Sequence, residues 1–216
     1  MIERFFRFFS MVLFVLSALL AWNSSVSATL VKAPDKVIES LANQVLADLD
    51  KNRETYRKDS LQLRRMIDKY MLTNFDTEYA AQLVLAKNWR TATDDQRKQF
   101  IDAFYQSLLQ NYGSTLLDFT ADRLKVFPYQ GKVTDTVATV RSEIRRDNGD
   151  KVSVSYTLRM TDAGWKAYDV TIEGVSYIKS FRTDFGTEIE QKGLDAVIKR
   201  LQTLQSSSVA AKKQSG

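Results

Sequence analysis

From Lys151 to Thr161 apolar and polar residues alternate without interruption. Val152, Val154, Tyr156, Leu158 and Met160 fall at one parity, and Ser153, Ser155, Thr157, Arg159 and Thr161 at the other. Successive side chains of an extended chain point to opposite faces, so this stretch is a strand with one face to bury and one to leave wet. A helix would spread the same pattern around all its sides. The strand has company. Arg123-Leu-Lys-Val-Phe-Pro128 reads as a short strand ended by proline, and Thr134 to Arg145 is rich in Thr and Val. Trp165 to Ile172 places Tyr168, Val170 and Ile172 on one face by simple alternation. Asp147-Asn-Gly149-Asp150 and Asp162-Ala-Gly164 are turn signals between them. Strands in series with short turns make an antiparallel meander.

The preceding half has helical period. Pro34-Asp35 opens a segment carrying Val37, Ile38, Leu41, Val45 and Leu49 on one stripe. Asp59-Ser60 precedes a second, with Leu63, Met66, Ile67, Tyr70 and Met71, and a third runs from Glu78 to Trp89. Thr93 followed by Gln96 is a capping box, with Asp94 and Asp95 favourable at the helix start. The helix it opens carries Phe100, Ile101, Phe104, Tyr105, Leu108, Leu109 and Tyr112, and Gly113 interrupts or ends it. From Ser176 the pattern is helical again, with a break near Gly193 and a last helix over Leu194 to Leu204. The fold class is therefore α+β: a curled antiparallel or mixed sheet with a helical subdomain on one face.

The N-terminus reads differently. Arg4 and Arg7 make a short basic start, Phe8 to Trp22 is an apolar run, and Val26-Ser27-Ala28 supplies the small residues of a peptidase site. This is a secretory signal over residues 1–28. The run is shorter than the ~20 residues a bilayer span needs. The expected layout is thus a leader over 1–28, one domain over 29–205 and a Ser/Ala/Lys-rich disordered tail over 206–216.

Two absences limit the chemistry. The chain has no cysteine and no histidine. That removes disulfides, thiol nucleophiles, lipid acylation at the cleavage site, His-based triads and the usual metal sites. The net charge of +5 is spread along the chain, unlike the concentrated basic surface of a nucleic-acid binder, and no nucleic-acid partner is expected. No Gly-rich phosphate loop is present. Among the strand-region carboxylates Asp135, Glu143, Asp169 and Glu173, Asp169 beside Tyr168 is the candidate general base of a cone-shaped enzyme; the alternative is a carboxylate that faces solvent or caps a turn. The aromatic and aliphatic residues of sheet and helices either fill a plain core or line a ligand cavity, and composition does not separate the two. The basic pairs Arg64-Arg65 and Arg145-Arg146 are either solvated faces or headgroup and membrane contacts.

Two stretches narrow these choices. One is Leu83-Val-Leu-Ala-Lys-Asn-Trp89-Arg90-Thr-Ala92-Thr93-Asp-Asp-Gln96-Arg97-Lys-Gln-Phe100, continuing to Tyr112-Gly113. The other is Trp165-Lys-Ala-Tyr168-Asp169-Val-Thr-Ile172-Glu173-Gly174-Val175-Ser176-Tyr-Ile178, followed by Phe185-Gly186 and Lys192-Gly193-Leu194. Together they resemble the MlaC, or toluene-tolerance, family of periplasmic phospholipid-binding proteins. Ala86 stands where the family commonly has glycine, and Thr73 where proline is common. The resemblance implies an NTF2/cystatin-like body enclosing an apolar pocket for acyl chains between sheet and helices, and a pocket that empties and refills suggests a movable helical roof. It implies no enzyme and no cofactor, with phospholipid as cargo. The implied partners are an outer-membrane lipoprotein complex and an inner-membrane ABC transporter complex of the Mla type, served by a monomer. The pocket candidates, taken from periodicity and placed by the motifs, are Leu85, Phe104, Tyr105, Leu108, Tyr112, Tyr156, Trp165, Tyr168, Ile172, Val175 and Ile178. The readings from other classes are the Asp169 enzyme and a ligand-free adaptor between membrane complexes.

Overall fold

The computed structural model describes residues 32–118, 120, 123–132, 134–145 and 149–203. The leader, the tail after residue 205, Arg146 and the first two residues of the Asp147-Asn148-Gly149 turn lie outside the described residues.

Most of the helices begin where the sequence supplies an acceptor for free N–H groups or removes the need for one. Helix α1 (Pro34–Lys58) starts with proline in the first turn, where no backbone donor is needed. At α2 (Ser60–Asn74) the Asp59 carboxylate accepts from Leu61 N and Gln62 N. At α3 (Thr77–Leu85) Asp76 accepts from Tyr79 N. Helix α5 (Asp94–Tyr112) opens with both halves of the capping box: Gln96 N donates to Thr93 Oγ1 at 3.1 Å, and Thr93 N donates to Gln96 Oε1 at 3.0 Å. A 3-10 turn over Gly113–Asp118 follows. At Gly113 an added Cβ would stand 3.2 Å from Ile67 Cδ1, so the glycine lets this turn approach α2.

One helix expected whole is broken. The segment Glu78 to Trp89 is two elements, α3 and the short α4 (Lys87–Thr91), because Ala86 sits at φ 48°, ψ −114°. That backbone region suits glycine and strains any residue with a Cβ. It coincides with the departure from the family's glycine. We expect Ala86→Gly to raise stability by about 1 kcal/mol and the melting temperature by about 2–4 °C. A thermal melt that falls would contradict the strain.

The sheet is a five-stranded antiparallel meander in the order β1-β2-β3-β4-β5. Its strands are β1 (Leu124–Val126), β2 (Val137–Arg145), β3 (Lys151–Thr161), β4 (Gly164–Ile172) and β5 (Val175–Ser176). On β2, Ala138, Val140 and Ser142 are buried while Val137, Thr139 and Arg141 are exposed. The matching face of β3 is the apolar parity Val152 to Met160, as the alternation requires.

The face assigned to β4 needs correction. Thr157 pairs with Asp169 but Leu158 with Ala167, so Tyr168 is the extra residue of a β-bulge. Trp165, Ala167, Val170 and Ile172 share the buried face, opposite Met160, Leu158, Tyr156 and Val154. Tyr168 leaves that set. Alternation alone cannot reveal a bulge, because the extra residue resets parity without changing composition.

The chain then reverses through Glu173 and Gly174, at φ 50° and 81°. Two successive positive φ values match a two-residue hairpin turn. Glu173 is held there by its carboxylate, which accepts from Ser153 N at 2.7 Å. Helix α6 (Tyr177–Lys192) follows, and residues 194–203 form α7.

The core divides into three clusters. The first gathers α3, α5, α6 and α7 around Phe100, Phe104, Phe185 and Val197. The second joins α1 to α2 through Leu46, Leu49, Leu63 and Met66. The third sets Ile38 of α1 against Val140, Leu158, Trp165 and Ala167 of the sheet. The edge of β4 is covered partly by β5 and partly by Phe75, which makes a parallel bridge to Ala167.

Candidate functional site

An aromatic column runs through the first cluster. The Phe100 and Phe104 rings stack at 5.6 Å, and both meet Phe185 edge-on at 5.8 Å. Phe181 packs on Phe104 at 5.1 Å and on Phe185 at 5.7 Å. Tyr177 adjoins Phe181 at 6.0 Å, and Tyr112 adjoins Tyr177 at 5.6 Å. The column therefore leads from a fully buried phenylalanine to Tyr112, which is 44% exposed. Val175, two residues before Tyr177, is 57% exposed. Tyr112 and Tyr177 thus form an apolar rim where α5 ends and α6 begins, and Val175 precedes it in the chain on β5. Burial, aided by the neighbouring Tyr177, pushes the Tyr112 hydroxyl above its ordinary range.

The motif Tyr168-Asp169 to Ser176 builds this junction. Ser176 caps α6 by accepting from Lys179 N at 3.2 Å. Asp169 accepts from Ser176 Oγ at 2.6 Å and from Ile178 N at 3.1 Å. Both of its oxygens are engaged in fixing the helix start, which is the capping role and not that of a free general base.

The sequence candidates occupy several settings. Leu85, Phe104, Leu108, Tyr168 and Ile178 lie together in or against the first cluster. Tyr156 and Trp165 belong to the third, under α1. Burial raises the Tyr156 hydroxyl's pKa, with a hydrogen bond to Ser142 opposing the shift. Tyr112 stands at the rim, whereas Ile172 and Val175 pair across the hairpin before α6, on the sheet face shared with Trp165 and Ala167. Tyr105 points elsewhere: its hydroxyl donates to Asp68 Oδ1 at 2.7 Å, tying α5 to α2. Burial first and this carboxylate second push its pKa up. Missed were Phe181 and Phe185, although Tyr177, Phe181 and Phe185 recur every four residues along one helix face.

Two surface depressions lie away from all these residues. One, of about 420 Å³, follows α1 between Lys32, Lys36, Glu39, Ser40, Asn43, Gln44 and Ala47. The other, of about 80 Å³, lies between Leu46 of α1 and Leu124 and Val126 of β1. Neither is lined by a candidate.

A polar network sits between α1 and α2. Asp48 accepts from Tyr56 at 2.5 Å, Asn52 at 2.9 Å and Tyr70 at 2.9 Å. Burial opposes its ionisation, but the three hydrogen bonds and nearby Lys69 outweigh burial and hold the carboxyl below its usual range. The Tyr56 hydroxyl is pushed up to about 12 by burial and by Asp48. A depressed carboxylate contributes stability that is present above its unfolded value and lost as pH falls through its folded one. Denaturant unfolding across pH should therefore lose this contribution below about pH 4, and Asp48→Asn should flatten that acid limb. An unchanged limb in the variant would contradict the network.

Among the described residues no helix is long and apolar enough to cross a membrane. The chain is similar to the toluene tolerance protein ttg2D of Pseudomonas putida, 26% identical over 166 residues that cover 76% of each chain. It is also similar to the intermembrane phospholipid transport system binding protein MlaC of Haemophilus influenzae, 22% identical over 91% of this chain and 92% of the other. Its fold matches, at a TM-score of 0.75 and 21% identity, a phospholipid-binding protein of Ralstonia solanacearum solved in complex with a phospholipid. That match covers 82% of this chain and 98% of the other. The MlaC protein family model matches residues 39–203, and the chain belongs to that family.

Proposed function

We propose that this chain is a periplasmic phospholipid carrier, exported by the leader at residues 1–28 and cleaved after Ala28. It takes up phospholipid acyl chains and hands the lipid between an outer-membrane lipoprotein complex and an inner-membrane ABC transporter complex of the Mla type. The observation that carries the reading is a fold shared with a protein solved around a phospholipid. The aromatic column and its exposed rim supply an apolar route into the helical cluster, and the divided core supplies seams that acyl chains can part.

The energetics suit a carrier. Burying a methylene gains about 0.8 kcal/mol relative to water, so two chains with roughly 30 methylenes gain on the order of 20 kcal/mol gross. Release into water is negligible, whereas exchange with another apolar compartment by contact is nearly balanced. Direction then comes from donor and acceptor, and this chain needs no catalytic group of its own. Asp169, engaged in capping α6, disfavours the enzyme reading.

The test is uptake. Delipidated protein is incubated with vesicles containing a fluorescent phospholipid and separated by gel filtration. Label eluting with the protein is the expected result. Label remaining wholly with the vesicles would overturn the carrier and favour a ligand-free adaptor.

A further inference from the structure

The basic pair Arg64-Arg65 flagged in the sequence separates in the structure. Arg64 turns inward and bonds Gln106, while Arg65 is exposed. Around Arg65, the outer face of α2 carries an unusual combination. Leu61 is 62% exposed and Leu72 is 52% exposed, two of only five large hydrophobic side chains so exposed among the described residues. At 100° per residue Leu61, Leu72, Arg65 and Lys69 fall within an arc of about 80°, opposite the buried Leu63, Met66, Ile67 and Tyr70. The two leucines stand about 16 Å apart along the axis, with both cations between them.

The charge on this face is not neutralised by contact. Neither Arg65 nor Lys69 makes an ion pair by contact among the described residues; Lys69 lies against the Tyr70 ring and hydroxyl and acts on Asp48 only at longer range. The nearby carboxylates are held by other hydrogen-bond and ion-pair partners, and Arg65 acts on Asp59 only at longer range. Asp59 caps α2, Asp68 accepts from Tyr105, and Glu54 pairs with Arg57. Exposed Lys58 adds a further cation at the α1–α2 turn.

We propose that this face of α2 docks the protein transiently on an anionic bilayer surface. Leu61 and Leu72 enter the headgroup region, while Arg65 and Lys69 meet lipid phosphates. A helix face with apolar residues flanked by Lys and Arg lies in a membrane interface, where each cation adds to the attraction for anionic lipid. Four residues make the contact weak, which a carrier that leaves again requires. The proposal is independent of the acyl-chain site, because none of these side chains belongs to the aromatic column or its rim.

The test is flotation of the purified protein with phosphatidylcholine vesicles containing about a third phosphatidylglycerol, against vesicles of phosphatidylcholine alone. The expected result is binding to the anionic vesicles only, lost as salt rises from about 50 to about 300 mM. Arg65→Glu/Lys69→Glu should weaken partitioning by about tenfold or more. Leu61→Ser/Leu72→Ser should weaken it at every salt concentration. All four positions are exposed, so the leucine variant should melt like the parent; the charge variant should stay folded with a small loss, because Lys69 also helps hold Asp48 ionised. Absence of wild-type flotation with anionic vesicles at low salt would overturn the proposal, as would undiminished binding by both variants. The second outcome would place any membrane contact on another face.

Discussion

Phe100→Ala is expected to cost about 3–5 kcal/mol of folding stability, lowering the melting temperature by roughly 6–20 °C. Phe100 is 0% exposed and joins α5 to α6 through its contacts with Phe104 and Phe185. Truncation removes the transfer energy of the ring and leaves a cavity, because the surrounding helices are fixed from outside. Arg182 Nε donates to Leu83 O, Gln96 Nε2 to Asp195 Oδ1, and Arg200 pairs with Glu188. Those ties limit how far the cluster can collapse onto the void. Phe100→Leu, which keeps most of the apolar volume, should recover much of the loss. A loss below about 1 kcal/mol for the alanine variant, measured by denaturant unfolding, would show that the column is not a packed core.

Val175→Glu should do the reverse: leave stability almost untouched and abolish most lipid retention. Val175 is over half exposed on the short edge strand β5, so the carboxylate stays in water when the protein is empty. A surface substitution of this kind changes stability by about 0.5 kcal/mol or less. In the proposed carrier acyl chains pass Val175 on entry, so the charge is pressed against hydrocarbon and must be desolvated or displaced, at several kcal/mol. Lipid content per protein should fall at least tenfold with an unchanged melting curve. Val137→Glu is the control, equally exposed on the far side of the sheet, and should retain lipid. Equal retention by both variants would remove Val175 from the lipid path.

Much of this architecture was legible in the residues. The alternation over Lys151 to Thr161 defined a strand with the same bounds, and the Thr93–Gln96 capping box located the start of α5. The motif Tyr168-Asp169 to Ser176 proved to be a structural lock whose parts are a bulge, a two-residue turn and a doubly engaged helix cap. What escaped was what local pattern does not encode. The bulge at Tyr168 resets parity, and the break at Ala86 is imposed on a residue that disfavours it. The candidate pocket residues were a mixture for the same reason: an apolar stripe shows that a face is buried, not which cluster it joins. Tyr105 shows the limit well, since its position on the helix stripe gave no sign of the bond to Asp68.

The most direct measurement is organic extraction of the protein as purified from the periplasm of expressing cells, with mass spectrometry of the extract and quantitation of phosphorus against protein. A phospholipid carrier predicts diacyl phospholipid in near-stoichiometric amount, depleted in Val175→Glu and retained in Val137→Glu. An extract free of phospholipid from a fully folded protein would contradict the carrier function.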